Sequence, residues 1–163
     1  MNWSSLLTRK THPDLHNEYL AKTDELIEGG KPIYPQMSCR ELTMEFDFSE
    51  PFPMERLKLF EQFGGLNRDD RKRIYADPLF RSELAKEMSS QGSNAGPIVR
   101  LRGAWNDTVV SDFPLDPSLE ERRLDDIAAE RGVDPVDVAL DLSIASDFVA
   151  RFRIPLANNL EKG

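Results

Sequence analysis

The segment "THPDLHNEYLAKTDELIEGGKPIYP", residues 11–35, most narrows what this chain can become. Leu15, Tyr19, Leu20, Leu26 and Ile27 fall near helical spacing. Thr11 can cap the start, and Gly29-Gly30 can end the helix. The spacing predicts a helix over 13–29 followed by a short strand over 32–36. Helix, glycine pair and strand together make half of a repeating α/β unit.

The strand stops abruptly. Pro35 removes a ladder donor, and a polar cluster of Gln36, Ser38, Cys39 and Arg40 follows. From Leu42 the pattern changes to alternation, with Leu42, Met44, Phe46 and Phe48 on one face of an extended ribbon that ends at "SEPFP". Three short helices are then expected. The first runs from Met54 to Phe63, the second is capped by Asn67, and the third opens at Asp77-Pro78.

Residues 89–96, "SSQGSNAG", read as an exposed loop. "PIVRLRG" and "DTVVSDF" read as two strands around Trp105, with Asn106-Asp107 available for a turn. In the last third, Ser118 with Glu121 suggests a capping box, and Asp134-Pro135 suggests a second helix start. These signals predict helices over 119–131 and 135–147 joined at Gly132. A short helix and an extended end over 152–157 follow.

The chain has 163 residues, 39% of them hydrophobic and 31% charged, enough for about one domain with a core. It has 21 basic and 29 acidic side chains, a net charge of −8 that opposes binding to nucleic acid. The run Arg71-Lys72-Arg73 follows Asp69-Asp70 and reads as a solvated helix face. Neither an apolar span of membrane length nor a secretory leader is visible, so no membrane is expected and the cytoplasm is the expected location. One cysteine excludes an internal disulfide.

Chemistry-bearing residues are few. His12 and His16, four apart, would share a helix face as metal pairs do. However, His12 precedes Pro13, and the pair reads as a solvated helix start. Cys39 reads as a small buried apolar residue. Ser38 lacks the glycines of a nucleophile elbow. Arg40, beside a strand end, can hold a carboxylate through two parallel hydrogen bonds; a salt bridge to Glu41 or Glu45 is the equal alternative. The carboxylates of "LEERRLDDIAAE" face solvent while Leu124, Ile127 and Ala128 turn inward. Trp105, Phe46, Phe48, Phe52 and Phe60 read as core.

In order along the chain, "WSSLL", "HPDLHNEYLAKTDELIEGGKPIYPQMSCRELTMEFDFSEPFP", "YADPLFRSELAKE", "RRLDDIAAERGVDPVDVALDL" and "RFRIPLAN" resemble segments of N-acyl-D-amino-acid deacylases. These enzymes belong to the metal-dependent amidohydrolase superfamily. "YPQMSCRELT" and "DIAAERGVDPVD" carry the resemblance most specifically.

The resemblance implies an α/β fold, as a fragment of a longer (β/α)8 amidohydrolase barrel with a mainly helical insertion and few short strands. Residues 1–40 would be a barrel-derived helix and strand. Residues 41–117 would be an insertion with short helices and a small β-hairpin, and residues 118–163 a helical pair with a terminal extended segment.

For the full-length family, zinc-assisted hydrolysis of a non-peptide C–N amide bond is implied. The family's His-x-His, its fifth-strand histidine and its eighth-strand aspartate have no counterparts here. Tyr34 stands where some relatives place a ligating histidine. No catalytic residue and no metal ligand are therefore assigned, and the chain alone is not expected to be competent.

Polar residues after a barrel strand face the active-site mouth, so Gln36, Ser38 and Arg40 are the implied substrate contacts, with an N-acyl amino acid as ligand. A strand at 32–36 standing alone would expose both edges and so favour a homo-oligomer or a missing remainder of the barrel. The competing readings are a stand-alone binding or oligomerisation module without catalytic activity and, weakest, a metalloenzyme resting on His12 and His16.

Overall fold

A computed structural model describes residues 1–9, 12–52, 54–89 and 105–159. The elements are β1 (Asn2–Leu6), α1 (Leu15–Glu28), β2 (Tyr34–Met37), β3 (Leu42–Phe46), α2 (Arg68–Ala76), α3 (Pro78–Ser89), β4 (Val109–Asp112), α4 (Leu124–Arg131), α5 (Pro135–Ala145) and β5 (Arg151–Ala157). Two 3-10 turns, Met54–Arg56 and Lys58–Phe63, lie between β3 and α2. The fold is mixed α/β with two small sheets, and among the described residues no barrel closes. No described helix is long and apolar enough to cross a membrane. Chain contacts divide the molecule into two compact units: Met1–Thr43 with Pro155–Gly163, and Met44–Ile154.

In the first unit β1 and β2 pair in parallel, Asn2 opposite Tyr34 and Ser4 opposite Gln36, with α1 as the connection. A strand over 32–36 standing alone with two open edges is thus corrected, because β1 occupies one of them. The Tyr34 amide donates to the Met1 carbonyl at 3.1 Å. Successive amides on a strand point to opposite edges, so Pro35 turns its missing donor away from β1. A proline is tolerated there because it blunts the edge without breaking the ladder.

α1 ends as the glycine pair predicts. Gly30 adopts φ 79°, and the Lys31 amide reaches back to the Leu26 carbonyl at 3.0 Å. Thr11, the expected cap, lies outside the described residues. Packing in this unit is thin. Among its described residues only Leu6, Thr23 and Ala157 are buried, while Tyr34 and Met37 are 59% and 65% exposed.

The second unit holds the well-packed core. β5 lies between β3 and β4. Alternation along β5 buries Phe152 and Ile154 while Arg151 is exposed. Phe152 lies tilted against Phe46 and edge-on to Phe48, with ring centroids 5.5 and 5.8 Å away. From Phe48 the ring contacts continue to Tyr75 at 5.4 Å and from Tyr75 to Phe63 at 4.9 Å. Trp105, Phe46, Phe48 and Phe60 are core as expected, but Phe52 is 57% exposed.

α5 is apolar on most sides because Val136, Val138, Ala139, Leu140 and Leu142 are all buried. Its start is the one predicted, the Asp134 carboxylate accepting from the Val136 amide at 2.8 Å. Asn67 caps α2 in the same way through the Asp70 amide at 2.9 Å.

The capping box at Ser118 does not form. Asp116 instead takes the Ser118 amide at 3.1 Å, and the turn Pro117–Leu119 stops after three residues. Glu121 adopts φ 61°, its amide bonds the Val110 carbonyl at 2.8 Å, and the Val110 amide bonds the Arg122 carbonyl at 3.0 Å. Pairing with β4 uses the backbone groups a helix would need, so α4 begins only at Leu124. β4 itself pairs antiparallel with β5. Residues 97–103, its expected hairpin partner, and most of the 89–96 loop lie outside the described residues.

Tyr75 is fully buried and its hydroxyl donates to the Phe48 carbonyl at 3.0 Å. Burial pushes this phenol well above the usual tyrosine range; Arg71 opposes the shift, and Asp47 and Glu55 add to it. Tyr75→Phe is expected to cost about 1–2 kcal/mol by stranding that carbonyl. The raised folded pKa makes the wild-type contribution full below about pH 10, where tyrosine is neutral in both states. It fades as pH climbs above that value. Urea titrations near neutrality and at high pH check both: the gap between wild type and Tyr75→Phe should narrow with alkalinity.

Candidate functional site

Two parallel strands aim their carboxyl ends the same way, and in α/β proteins that end is where polar groups gather for binding. In the first unit the segments leaving β1 and β2 are Leu7-Thr8 and Ser38–Arg40. Gln36 lies on β2, and Ser38 and Arg40 in the turn beyond it; all three side chains are exposed.

The turn is locally closed. Ser38 Oγ donates to the Arg40 carbonyl at 3.0 Å and accepts from the Arg40 amide at 3.2 Å. Asn158, just beyond β5, joins this turn to the end of β1. Its Nδ2 donates to the Ser38 and Arg40 carbonyls, each at 3.2 Å, and its Oδ1 accepts from the Thr8 amide at 3.0 Å. Its own amide donates to the Thr8 carbonyl at 2.9 Å.

Among the described residues no carboxylate pairs with the Arg40 guanidinium, so of the two readings of Arg40 the salt bridge to Glu41 or Glu45 is not the one formed. An unpaired guanidinium on a pinned turn can accept a carboxylate in bidentate fashion. Cys39, read as buried, is exposed instead, since the turn that closes around Ser38 carries its neighbour outward.

Zinc needs three or four protein donors. His12 is exposed and precedes α1, whereas His16 lies in its first turn with Nδ1 buried and no hydrogen-bond partner. Among the described residues no group of three or more histidine, cysteine or acidic side chains could hold a metal ion. The donors described do not fit a resident zinc.

In the second unit an open groove of about 650 Å³ is lined by Ala76, Arg81, Lys86, Asp134 and Asp137, among others. Its main cation is already committed: Arg81 meets Asp137 at 3.1 Å and Asp141 at 2.6 Å. The groove contains none of Gln36, Ser38 and Arg40.

No family model, curated protein or solved structure matches this chain.

Sequence reading located the polar cluster after β2 but missed Thr8 and Asn158. An asparagine directly after an alternating strand is a signal for a left-handed turn, and Asn158 has φ 58°. Nothing in the sequence names its partners.

Proposed function

We propose that the chain is a partial N-acyl-D-amino-acid deacylase-like amidohydrolase. It carries substrate-facing residues of the pocket without a complete metal site. In this reading Arg40 takes the carboxylate of an N-acyl amino acid, Gln36 and Ser38 offer hydrogen bonds beside it, and the metal-bound water that cleaves the amide belongs to the full-length relative.

One observation supports it above the others: Gln36 lies near the carboxyl end of a parallel strand in a β-α-β unit, Ser38 and Arg40 follow that end, and among the described residues no carboxylate pairs with the Arg40 guanidinium. The experiment is purification in the presence of zinc, followed by metal analysis and an assay on a panel of N-acyl-D-amino acids. The expected result is less than stoichiometric zinc and no released amino acid. One tightly held zinc per chain with turnover would overturn it. In a complete relative, replacing the arginine equivalent to Arg40 by alanine should raise KM at least about tenfold with a smaller change in kcat. An unchanged KM removes Arg40 from the pocket.

A second reading, a stand-alone binding or oligomerisation module, is favoured by the exposure of Tyr34 and Met37 on β2 together with Tyr19 and Ile27 on α1. Calorimetric titration with an N-acyl amino acid separates the two, since both readings allow self-association and only the first requires that ligand to bind. A strictly monomeric, cooperatively unfolding chain that binds no N-acyl amino acid would favour the second reading.

A further inference from the structure

We propose that Asn158 is a positioning residue: its carboxamide latches the turn carrying Ser38, Cys39 and Arg40 onto the end of β1, and so aims the Arg40 guanidinium. This deepens the functional reading above and rests on it for the identity of the ligand.

The latch is specific to a carboxamide. Two carbonyls, those of Ser38 and Arg40, face Nδ2, and carbonyls require a donor. An amide, that of Thr8, faces Oδ1 and requires an acceptor. Only asparagine or glutamine offers two donor hydrogens and an acceptor on one planar group, and the shorter side chain also tolerates φ 58°. The tie is long-range, since Asn158 and Ser38 are 120 positions apart. The turn's own closure, through Ser38 Oγ and Arg40, fixes its shape but not its direction. The turn is tethered at its two ends by β2 and β3, and with the Ser38, Cys39 and Arg40 side chains exposed, the bonds from Asn158 are the long-range side-chain restraint described for its middle.

The chain carries its own reporter. Cys39 is its single cysteine, is exposed, and lies inside the latched turn. A nitroxide attached there reads the turn's motion without any ligand. Asn158→Asp keeps the acceptor for Thr8 and tolerates the left-handed backbone, but it turns a carboxylate oxygen toward two carbonyls. It should therefore free the turn and leave β1 in place. Asn158→Gly, which relieves the backbone and removes both ends of the latch, is the second variant should the aspartate disturb folding.

The expected result is a restricted spectrum in the wild type and a mobile one in Asn158→Asp. The thermal midpoint should stay close to that of the wild type, and the Kd for N-acetyl-D-leucine should rise about tenfold. In an Arg40→Ala background Asn158→Asp should weaken binding no further, which a merely structural role would not produce. An equally restricted label in both variants overturns the latch, and a freed label with unchanged affinity overturns the positioning role. If wild type binds no N-acetyl-D-leucine, the functional reading falls and the spectra alone decide the latch.

Discussion

Phe152→Ala is expected to lower the free energy of unfolding by about 3–5 kcal/mol, the range for emptying a well-filled aromatic site. Phe152 is fully buried on the central strand of its sheet and pairs with Val110 across β4. It bridges the rings of Phe46 and Phe48, which carry the contact on to Tyr75. Removing it takes one wall from two aromatic pairs at once, and the flanking strands cannot move inward without breaking their ladder. Phe152→Leu, which keeps most of the volume, should cost about 1.5 kcal/mol or less. Urea denaturation followed by tryptophan fluorescence reads both, with an unchanged slope marking an intact cooperative transition. A loss under about 1 kcal/mol for the alanine variant would show that the core is not organised around this ring.

Arg81→Ala should cost about 2 kcal/mol, and Arg81→Lys should recover less than half of it. The guanidinium serves three acceptors: Nε donates to the Tyr75 carbonyl at 2.7 Å, Nη1 to Asp137 at 3.1 Å and Nη2 to Asp141 at 2.6 Å. These acceptors belong to α2 and α5, so a side chain on α3 links three helices. A lysine presents one compact charge and cannot meet three acceptors spread over a planar fork. Because Asp141 is more than half exposed, its share is small, and Asp141→Asn should cost under about 0.5 kcal/mol. The same denaturation series tests this ordering. Equal stability of the lysine variant and wild type would reduce the fork to a simple charge contact.

How far the fold was legible in the sequence depended on how local each signal was. Asn67 and Asp134 were read correctly because a cap and its acceptor bond lie within three residues. Ser118 with Glu121 has the same local form and failed, since its outcome was decided by β4, whose backbone takes the groups of 121 and 122. β1 gave no signal at all. "NWSSL" has neither alternation nor a β-branched residue, and it becomes a strand only because β2 offers a parallel partner. Phe52 and Cys39 were misplaced by reasoning from residue type alone, and both lie in turns that carry the side chain outward. In the candidate site, Gln36, Ser38 and Arg40 stood out because a strand ran straight into polar residues. Thr8 and Asn158 did not, because a link between chain ends is not written in local spacing.

The most direct test of the proposed pocket is an amide NMR titration of the full chain with an N-acetyl-D-amino acid, without added metal. Saturable shifts centred on Gln36–Arg40 and Thr8, absent in Arg40→Ala, are the predicted result. Shifts confined to the groove around Arg81, or none at millimolar ligand, would contradict a substrate-facing role for the strand ends.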